Sequence, residues 1–393
     1  MPWKEMDLMD QRAEFAHRAL TEKISFKDLC DEYGISRKTG YKWKERFYQY
    51  GYQGMSDQSK KPTHHPHQLD ENTVIQIILI RQAHPTWGAR KIQKLYQQKH
   101  PDQPVPSESS IKRIFDKAGL VKKRRVKRID TGKEQLHQLI PAEYPNHVWT
   151  VDFKGWWMGT DQNKCLPLTI RDLKTRFILS IQLMQQQGTE AVKSVFQSAF
   201  RQYGLPKVIR SDNGIPFAAH NSVLGLSHLS VWWMSLGILP DRTQPGKPQQ
   251  NGAHERMHRD LKFEIQQPYK GDRSFYQQLI DEWRDEYNHI RPHEALGYET
   301  PASLYKPSEI SYDGDIDELI YPPGFERRKV IKSGAIIFNQ IHIPISYALR
   351  GYHVGLGPSN TDDHRSLWLN HFHLGEIDLQ TYRFWPALHL KNK

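Results

Sequence analysis

Cysteine is almost missing from this chain. Only Cys30 and Cys165 occur in 393 residues, both among apolar neighbours. That excludes a disulfide framework and a zinc site built on thiolates. No apolar run approaches the roughly 18 residues that a membrane span needs. The opening MPWKEMDLMD lacks the pattern of a secretory signal. A reducing, cytoplasmic setting without a membrane partner is expected. Negative charge is also scarce: 44 Asp and Glu stand against 55 Lys and Arg, a formal charge of +11. The excess points to a polyanionic partner, most simply nucleic acid. Hydrophobic residues make up 37%, enough for several modest cores in two to four domains.

What is present begins with a helix-turn-helix pattern over residues 1–57. Arg12 to Leu20 and Phe26 to Tyr33 are helical in composition, Gly34 supplies a turn, and Ser36 can cap a third helix ending near Gly51. Leu29, Cys30, Ile35, Trp43 and Phe47 would make its core. Arg37, Lys38 and Thr39 then open a recognition helix aimed at base edges, with Lys42 and Lys44 placed for phosphates. A plain three-helix module that binds protein would share this pattern. Residues 58–70 read as a linker. Residues 71–128 repeat the helical layout, with Ser107 as a cap and Gly119 as a stop, and end in a basic tail. Lys117, Lys122, Lys123, Arg124, Arg125, Lys127 and Arg128 put seven cations in twelve residues. Such a run repels itself unless a polyanion relieves it, so DNA contact is expected, with a solubilising linker as the bland alternative.

After a linker at 129–144 the period changes. Between 145 and 305, apolar strand-like runs alternate with helical segments. They suggest an α/β domain with a mixed five-stranded sheet covered by helices. Residues 306–325 read as another linker, Pro-rich and acidic in the middle. Short β-type runs at 326–393 suggest a small all-β, barrel-like domain, the usual closed solution for such strands.

Three acids stand out. Asp152 lies inside the apolar run HVWTVDF, where a carboxylate is costly to bury without a cation. Asp212 ends KVIRSD, at a strand end facing a loop, where ligands gather in α/β sheets. Glu255 falls in the first turn of a helix after the Gly- and Pro-rich PGKPQQNG. Three carboxylates on separate elements can hold two divalent ions, one activating a water or 3′-hydroxyl and one stabilising the leaving oxygen. Oxygen-only ligands favour Mg²⁺, with Mn²⁺ as a substitute, over zinc. Singly, each acid could be a surface or capping residue. His254 to His258 also match HExxH, the zinc-protease pattern, with Glu282 as a third ligand. A protease leaves the helical modules and the basic run unexplained, so His254 and His258 are expected to line a cleft beside Glu255, with Asn251.

These segments together resemble a DDE transposase of bacterial insertion sequences, in the group with a retroviral-integrase-like core. The matching stretches are LCDEYGISRKTGYKWKERF, HPTWGARKI, WTVDFKG, CLPLTIRD, YGLPKVIRSDNGIPFA, LGI, PGKPQQNGAHERMHRDLK and YNHIRPHEALGYETPA, reaching from the N-terminal region to about Tyr305. The resemblance implies an RNase H-like fold with Asp152, Asp212 and Glu255 as its triad. Asn251 and Gly252 match the family's loop, and Tyr287, Asn288, Arg291, Pro292 and His293 its YN..RPH segment. It further implies binding of the element's terminal inverted repeats, Mg²⁺-dependent 3′-end cleavage, and strand transfer into double-stranded target DNA by a homodimer or homotetramer. One departure is visible: 42 residues, 213–254, separate the second and third acids, seven more than the family pattern. A catalytically silent DNA-binding regulator and an RNase H-type nuclease without strand transfer are the alternatives.

Overall fold

A computed structural model of the chain describes residues 7–59, 69–121, 139–219, 222–244, 252–314 and 318–392. The chain divides into two compact units, Met1–Leu69 and Asp70–Lys393. In the first, α1 (Leu8–Thr21), α2 (Phe26–Glu32) and α3 (Arg37–Tyr50) enclose Phe15, Ala16, Leu29, Cys30, Trp43 and Met55. Ser36 Oγ caps α3 by accepting from Thr39 N at 3.2 Å. Gly40 allows the close packing of α3: an added Cβ would sit 2.7 Å from Cys30 Sγ and 2.9 Å from the Phe15 ring.

The second unit opens with α4 (Glu71–Ala83), α5 (Ala89–Lys99) and α6 (Glu108–Lys117). Asp70 and Ser107 cap α4 and α6. Ile77, Ile92, Leu95, Ile111 and Phe115 are buried between the helices. Then come β1 (Val148–Phe153), β2 (Trp157–Met158), β3 (Lys164–Asp172), β4 (Ile178–Met184), α7 (Thr189–Tyr203), β5 (Val208–Ser211), α8 (His228–Ser235) and β6 (Leu239–Arg242). After them follow α9 (Gly252–Leu261), α10 (Arg273–His289) and α11 (Pro301–Leu304). β1 is central, antiparallel to β3 and parallel to β5; β4 pairs with β3 and β6 with β5. This is the mixed RNase H-like sheet, with the two-residue β2 on β3 as a sixth strand beyond the five expected.

Alternation along β1 decides what each face meets. Trp149 and Val151 point into a core with Phe196 and Phe200 of α7 and Trp232 and Trp233 of α8. The opposite face carries Thr150 and Asp152 toward the side where α9 and α10 bury Met257, Leu261, Ile280, Trp283 and Tyr287.

The C-terminal segment corrects an expectation. It forms no barrel. β10 (His353–Pro358), β11 (His364–Leu369), β12 (Phe372–Asp378) and β13 (Arg383–Asn392) make an antiparallel sheet with β7 (Glu326–Lys329), in the order β13–β12–β11–β10–β7, open at both ends. β8 (Ala335–Phe338) and β9 (Ile341–Pro344) are a separate hairpin. Closure is unnecessary because the apolar face is already covered. Val354, Leu356, Leu367, Leu369, Phe372 and Ile377 pack against Ile336 and Ile343 of the hairpin and against Leu226, Val231 and Met234. The last two belong to α8, whose tryptophans enter the central core. Asn370 Nδ2 donates to Ser235 O at 3.2 Å, and His228 Nδ1 lies 3.1 Å from Ala348 O, fastening the two layers.

Strand β4 lies at the sheet edge, where unpaired backbone groups invite pairing with another chain. Two side-chain amides of α10 cover it. Asn288 accepts from Ile178 N and donates to Ile178 O, both at 2.9 Å. Gln277 accepts from Leu183 N at 2.8 Å and donates to Ile181 O at 2.9 Å. Asn288→Ala strands a buried donor and acceptor, so it should lower unfolding stability by about 1–3 kcal/mol, and Gln277→Ala by less. Urea unfolding checks this; an unchanged midpoint for Asn288→Ala would refute the edge-covering role.

Candidate active site

Asp152 is the fifth residue of β1, and Asp212 directly follows β5. The parallel register pairs Val148 with Val208, Trp149 with Ile209 and Thr150 with Arg210. The same offset carried forward sets Asp152 abreast of Asp212, both on the face turned to α9. Arg210, two residues earlier on that face, is committed to Asp241 Oδ2 at 2.8 Å and to Ile140 O. Asp212 Oδ1 accepts from Gly214 N at 3.0 Å, which shapes the turn after the strand. Glu255 stands exposed in the first turn of α9.

Electrostatics ties the three acids together. Asp152 is half-buried, and its carboxyl is pushed up to about 7. Burial is the largest cause, followed by the nearby Asp212 charge and, more weakly, Glu255; a hydrogen bond from Phe153 N opposes them. Asp152 thus feels the charge of both other acids. Among the described residues, though, no three Asp, Glu, His or Cys side chains close into a metal-holding group. The donor set still suits a hard divalent cation: carboxylate oxygens, one of them half-buried among like charges.

Thr169 positions the third acid. It is the direct cross-strand partner of Asp152. Its Oγ1 donates to Asp152 O at 3.0 Å and lies 2.8 Å from His254 Nε2 and 2.9 Å from His258 Nε2. A hydroxyl donates once and accepts twice, so both imidazoles donate from Nε2 and the three bonds are mutually consistent. Next to Thr169 on the same face by alternation, Arg171 is wholly buried and its Nη1 donates to Ala253 O at 2.9 Å. α9 is thus pinned to β3 immediately on either side of Glu255. His254 is only 1% exposed, so it packs beneath the helix instead of presenting to a cleft. The zinc-protease reading fails on the same geometry. Both Nε2 atoms converge on Thr169, and Glu282 lies on the exposed side of α10, accepting from Gln278 at 3.1 Å.

The remaining expected residues fall elsewhere. Arg37 and Lys38 are exposed at the start of α3. Thr39 belongs to the cap, its Oγ1 2.9 Å from Ser36 Oγ. Lys42 lies 4.4 Å over the Trp43 ring and Lys44 5.6 Å over Phe26. Lys122, Lys123, Arg124, Arg125, Lys127, Arg128 and Asn251 lie outside the described residues. Thr169 and Arg171 escaped sequence reasoning, since only strand register brings them beside Asp152 and α9. Lys154 did too. It is buried two residues beyond Asp152, and its Nζ donates to Gln266 Oε1 at 2.9 Å. Burial first, then the charge of Lys262, lowers it to about 8.

Two family models described as integrase core domain match residues 142–248 and 236–301. The first contains Asp152 and Asp212, the second Glu255. This chain carries an integrase core domain. Upstream of the integrase core, a helix-turn-helix domain matches residues 11–63 and a homeodomain-like domain residues 39–115. An uncharacterized 39.2 kDa protein of insertion element IS476 from Xanthomonas euvesicatoria is 28% identical over 233 residues, covering 58% of this chain and 63% of the relative. An uncharacterized 31.7 kDa protein of insertion element IS407 from Burkholderia multivorans is 28% identical over 248 residues, covering 62% and 83%. The chain thus spans under two thirds of the first relative's length. The magnesium-bound catalytic core domain of HTLV-2 integrase aligns with 42% of this chain and all of that one, at 17% identity and a TM-score of 0.31. The integrase core supports polynucleotidyl transfer as the general class of chemistry. No helix among the described residues is long and apolar enough to cross a membrane.

Burial also fixes the protonation of two histidines. His258 is lowered to about 3 by burial, with Lys154 and Arg171 adding repulsion. His293 is likewise lowered to about 3, by burial and then by Lys91 and Arg291. Both are neutral when folded and can protonate near 6.5 when unfolded. Their contribution is complete above about 6.5 and is lost as pH falls toward 3. The melting temperature should drop between pH 6.5 and 4.5, less steeply in His258→Gln. A flat wild-type profile across that window would contradict the buried, neutral assignment.

Proposed function

We propose that this protein is a DNA transposase that binds the terminal inverted repeats of its element, cleaves at their 3′ ends and transfers the strands into target DNA. The observation that supports the reading is that Asp152 and Asp212 come abreast at two parallel strand ends and the charge of Glu255 on α9 also reaches Asp152, inside the integrase-core matches and downstream of helix-turn-helix matches.

Asp152, Asp212 and Glu255 are the residues that would hold Mg²⁺, or Mn²⁺ in its place. A carboxyl that keeps its proton up to about 7, through burial first and then the charges of Asp212 and Glu255, readily exchanges that proton for a cation. When bound, such ions activate a water or 3′-hydroxyl and stabilise the departing oxygen. The chain's own groups do the rest. Thr169, His254 and His258 hold α9 so that Glu255 stays toward the two aspartates. Gly214 N orients the Asp212 carboxylate. Arg37 and Lys38 on α3 would read base edges, and Lys42, Lys44 and the basic run from Lys122 to Arg128 would bind phosphates. A bacterial cytoplasmic setting and a multimer on paired ends go with this reading.

The test is joining of labelled duplex ends from the element's flanks into a plasmid, with Mg²⁺ or Mn²⁺. Asp152→Asn, Asp212→Asn and Glu255→Gln should each reduce joined product at least about a hundredfold while leaving end binding intact. Tight end binding with no cutting or joining by the unmodified protein would favour a catalytically silent regulator. Cutting without joining would favour a nuclease.

A second measurement addresses the basic run. Neutralising Lys122, Lys123, Arg124 and Arg125 should weaken end binding and flatten its salt dependence, by roughly 0.9 in log–log slope for each phosphate no longer neutralised. Unchanged affinity and slope would remove this run from the DNA interface.

A further inference from the structure

A carboxylate outside the proposed triad holds the far end of the helix that carries Glu255. α9 runs directly into a π-helical turn, Lys262–Gln266, a local geometry frequent at functional sites. Glu264 in that turn reaches three other elements. Its Oε1 accepts from Thr86 Oγ1, in the turn between α4 and α5. Its Oε2 accepts from Trp283 Nε1 on α10 at 2.5 Å. Arg291 Nη1 stands 3.5 Å from the same oxygen, and Arg291 Nη2 binds Asp260 Oδ2, one turn earlier on the helix, at 2.5 Å. The joint is largely dry: the Glu264 side chain is 16% exposed and that of Arg291 6%. Beside it, Trp87 is buried against His84 at a ring separation of 4.0 Å, and His84 Nδ1 lies 3.1 Å from Glu286 on α10.

We infer that Glu264 is a positioning residue through which the α4–α6 layer sets the helix bearing Glu255. The inference rests on the transposase reading. α9 is fixed at its start to Thr169 on the sheet and at its end to Arg291 and Thr86. A force on the α4–α5 turn, as when DNA is held by the helical layer, passes to α9 through a sheltered hydrogen bond to a carboxylate. Such bonds are short and about twice as strong as neutral ones. Thr86 serves only as the donor from the layer, and neither it nor Glu264 belongs to the three acids.

The test compares Glu264→Gln, Thr86→Val, Thr86→Ser and the double variant Glu264→Gln with Thr86→Val in three assays: end binding, end joining, and hydrogen exchange of the α9 amides. Binding should stay within about twofold, while kcat for joining falls about tenfold in Glu264→Gln and Thr86→Val, the scale of removing one hydrogen bond to a charged group. Thr86→Ser, which keeps the hydroxyl, should join at the unmodified rate. The double variant should be no worse than Glu264→Gln, and α9 amides should exchange faster in both single variants. Full joining by Thr86→Val, additive losses in the double variant, or loss of binding in step with joining would overturn the inference. If the unmodified protein joins no ends, the transposase reading fails by itself. The exchange of α9 then still decides the Thr86–Glu264 link: unchanged exchange in both variants refutes it.

Discussion

One hydroxyl, Thr169 Oγ1, fixes where Glu255 stands relative to Asp152. It donates to the Asp152 carbonyl and receives two imidazole N–H groups from α9. Apolar contacts between β3 and α9 alone would not specify rotation or register. The buried Arg171 adds a second tie, to the Ala253 carbonyl. Because burial keeps His258 neutral and His254 well below its ordinary value, the hydrogen-bonding pattern around Thr169 stays fixed across the neutral range. The apparent protease motif is therefore the fastening of the helix that carries Glu255.

The stretch between the second and third acids contains a segment that joins two cores. The segment from Ala218 to Gly237 contains the bridge between Ala218 and Leu226 and then α8. Leu226, Val231 and Met234 enter the core of the C-terminal sheet, while Trp232 and Trp233 enter that of the central sheet. A helix that is apolar all round belongs between two layers. The C-terminal sheet thereby shares its core with the segment that follows Asp212. Its apolar face is spent on that contact and on the β8–β9 hairpin, and so it remains open.

Much of the site is legible in its motifs. Asp152, Asp212 and Glu255 each sit in a local context of strand, strand end or helix start, and period changes mark most of the strands and helices around them. What the motifs do not carry depends on long-range register. Nothing near Thr169 in CLPLTIRD shows that it will lie opposite Asp152, and the two histidines of AHERMH read equally well as ligands or as cleft lining. α8 is hidden because SVWWMS has no polar face to set a period. The barrel expectation failed because short alternating strands specify one apolar face but not what covers it.

The three acids cannot organise themselves. Asp152 is raised by burial and by the charges of Asp212 and Glu255, so bringing the carboxylates closer costs free energy until a cation or a proton offsets it. The geometry must be imposed by groups that do not share that charge. On one side these are the neutral Thr169 cluster and the Gly214 amide. On the other they are the Arg291 pairs with Asp260 and Glu264, which anchor the end of α9 on α10. Asn288, three residues before Arg291, anchors α10 to the edge of the same sheet. The YNHIRPH segment thus closes a loop of contacts from sheet to α10 to α9 and back to the sheet at Thr169. That loop resists the repulsion that the acids create.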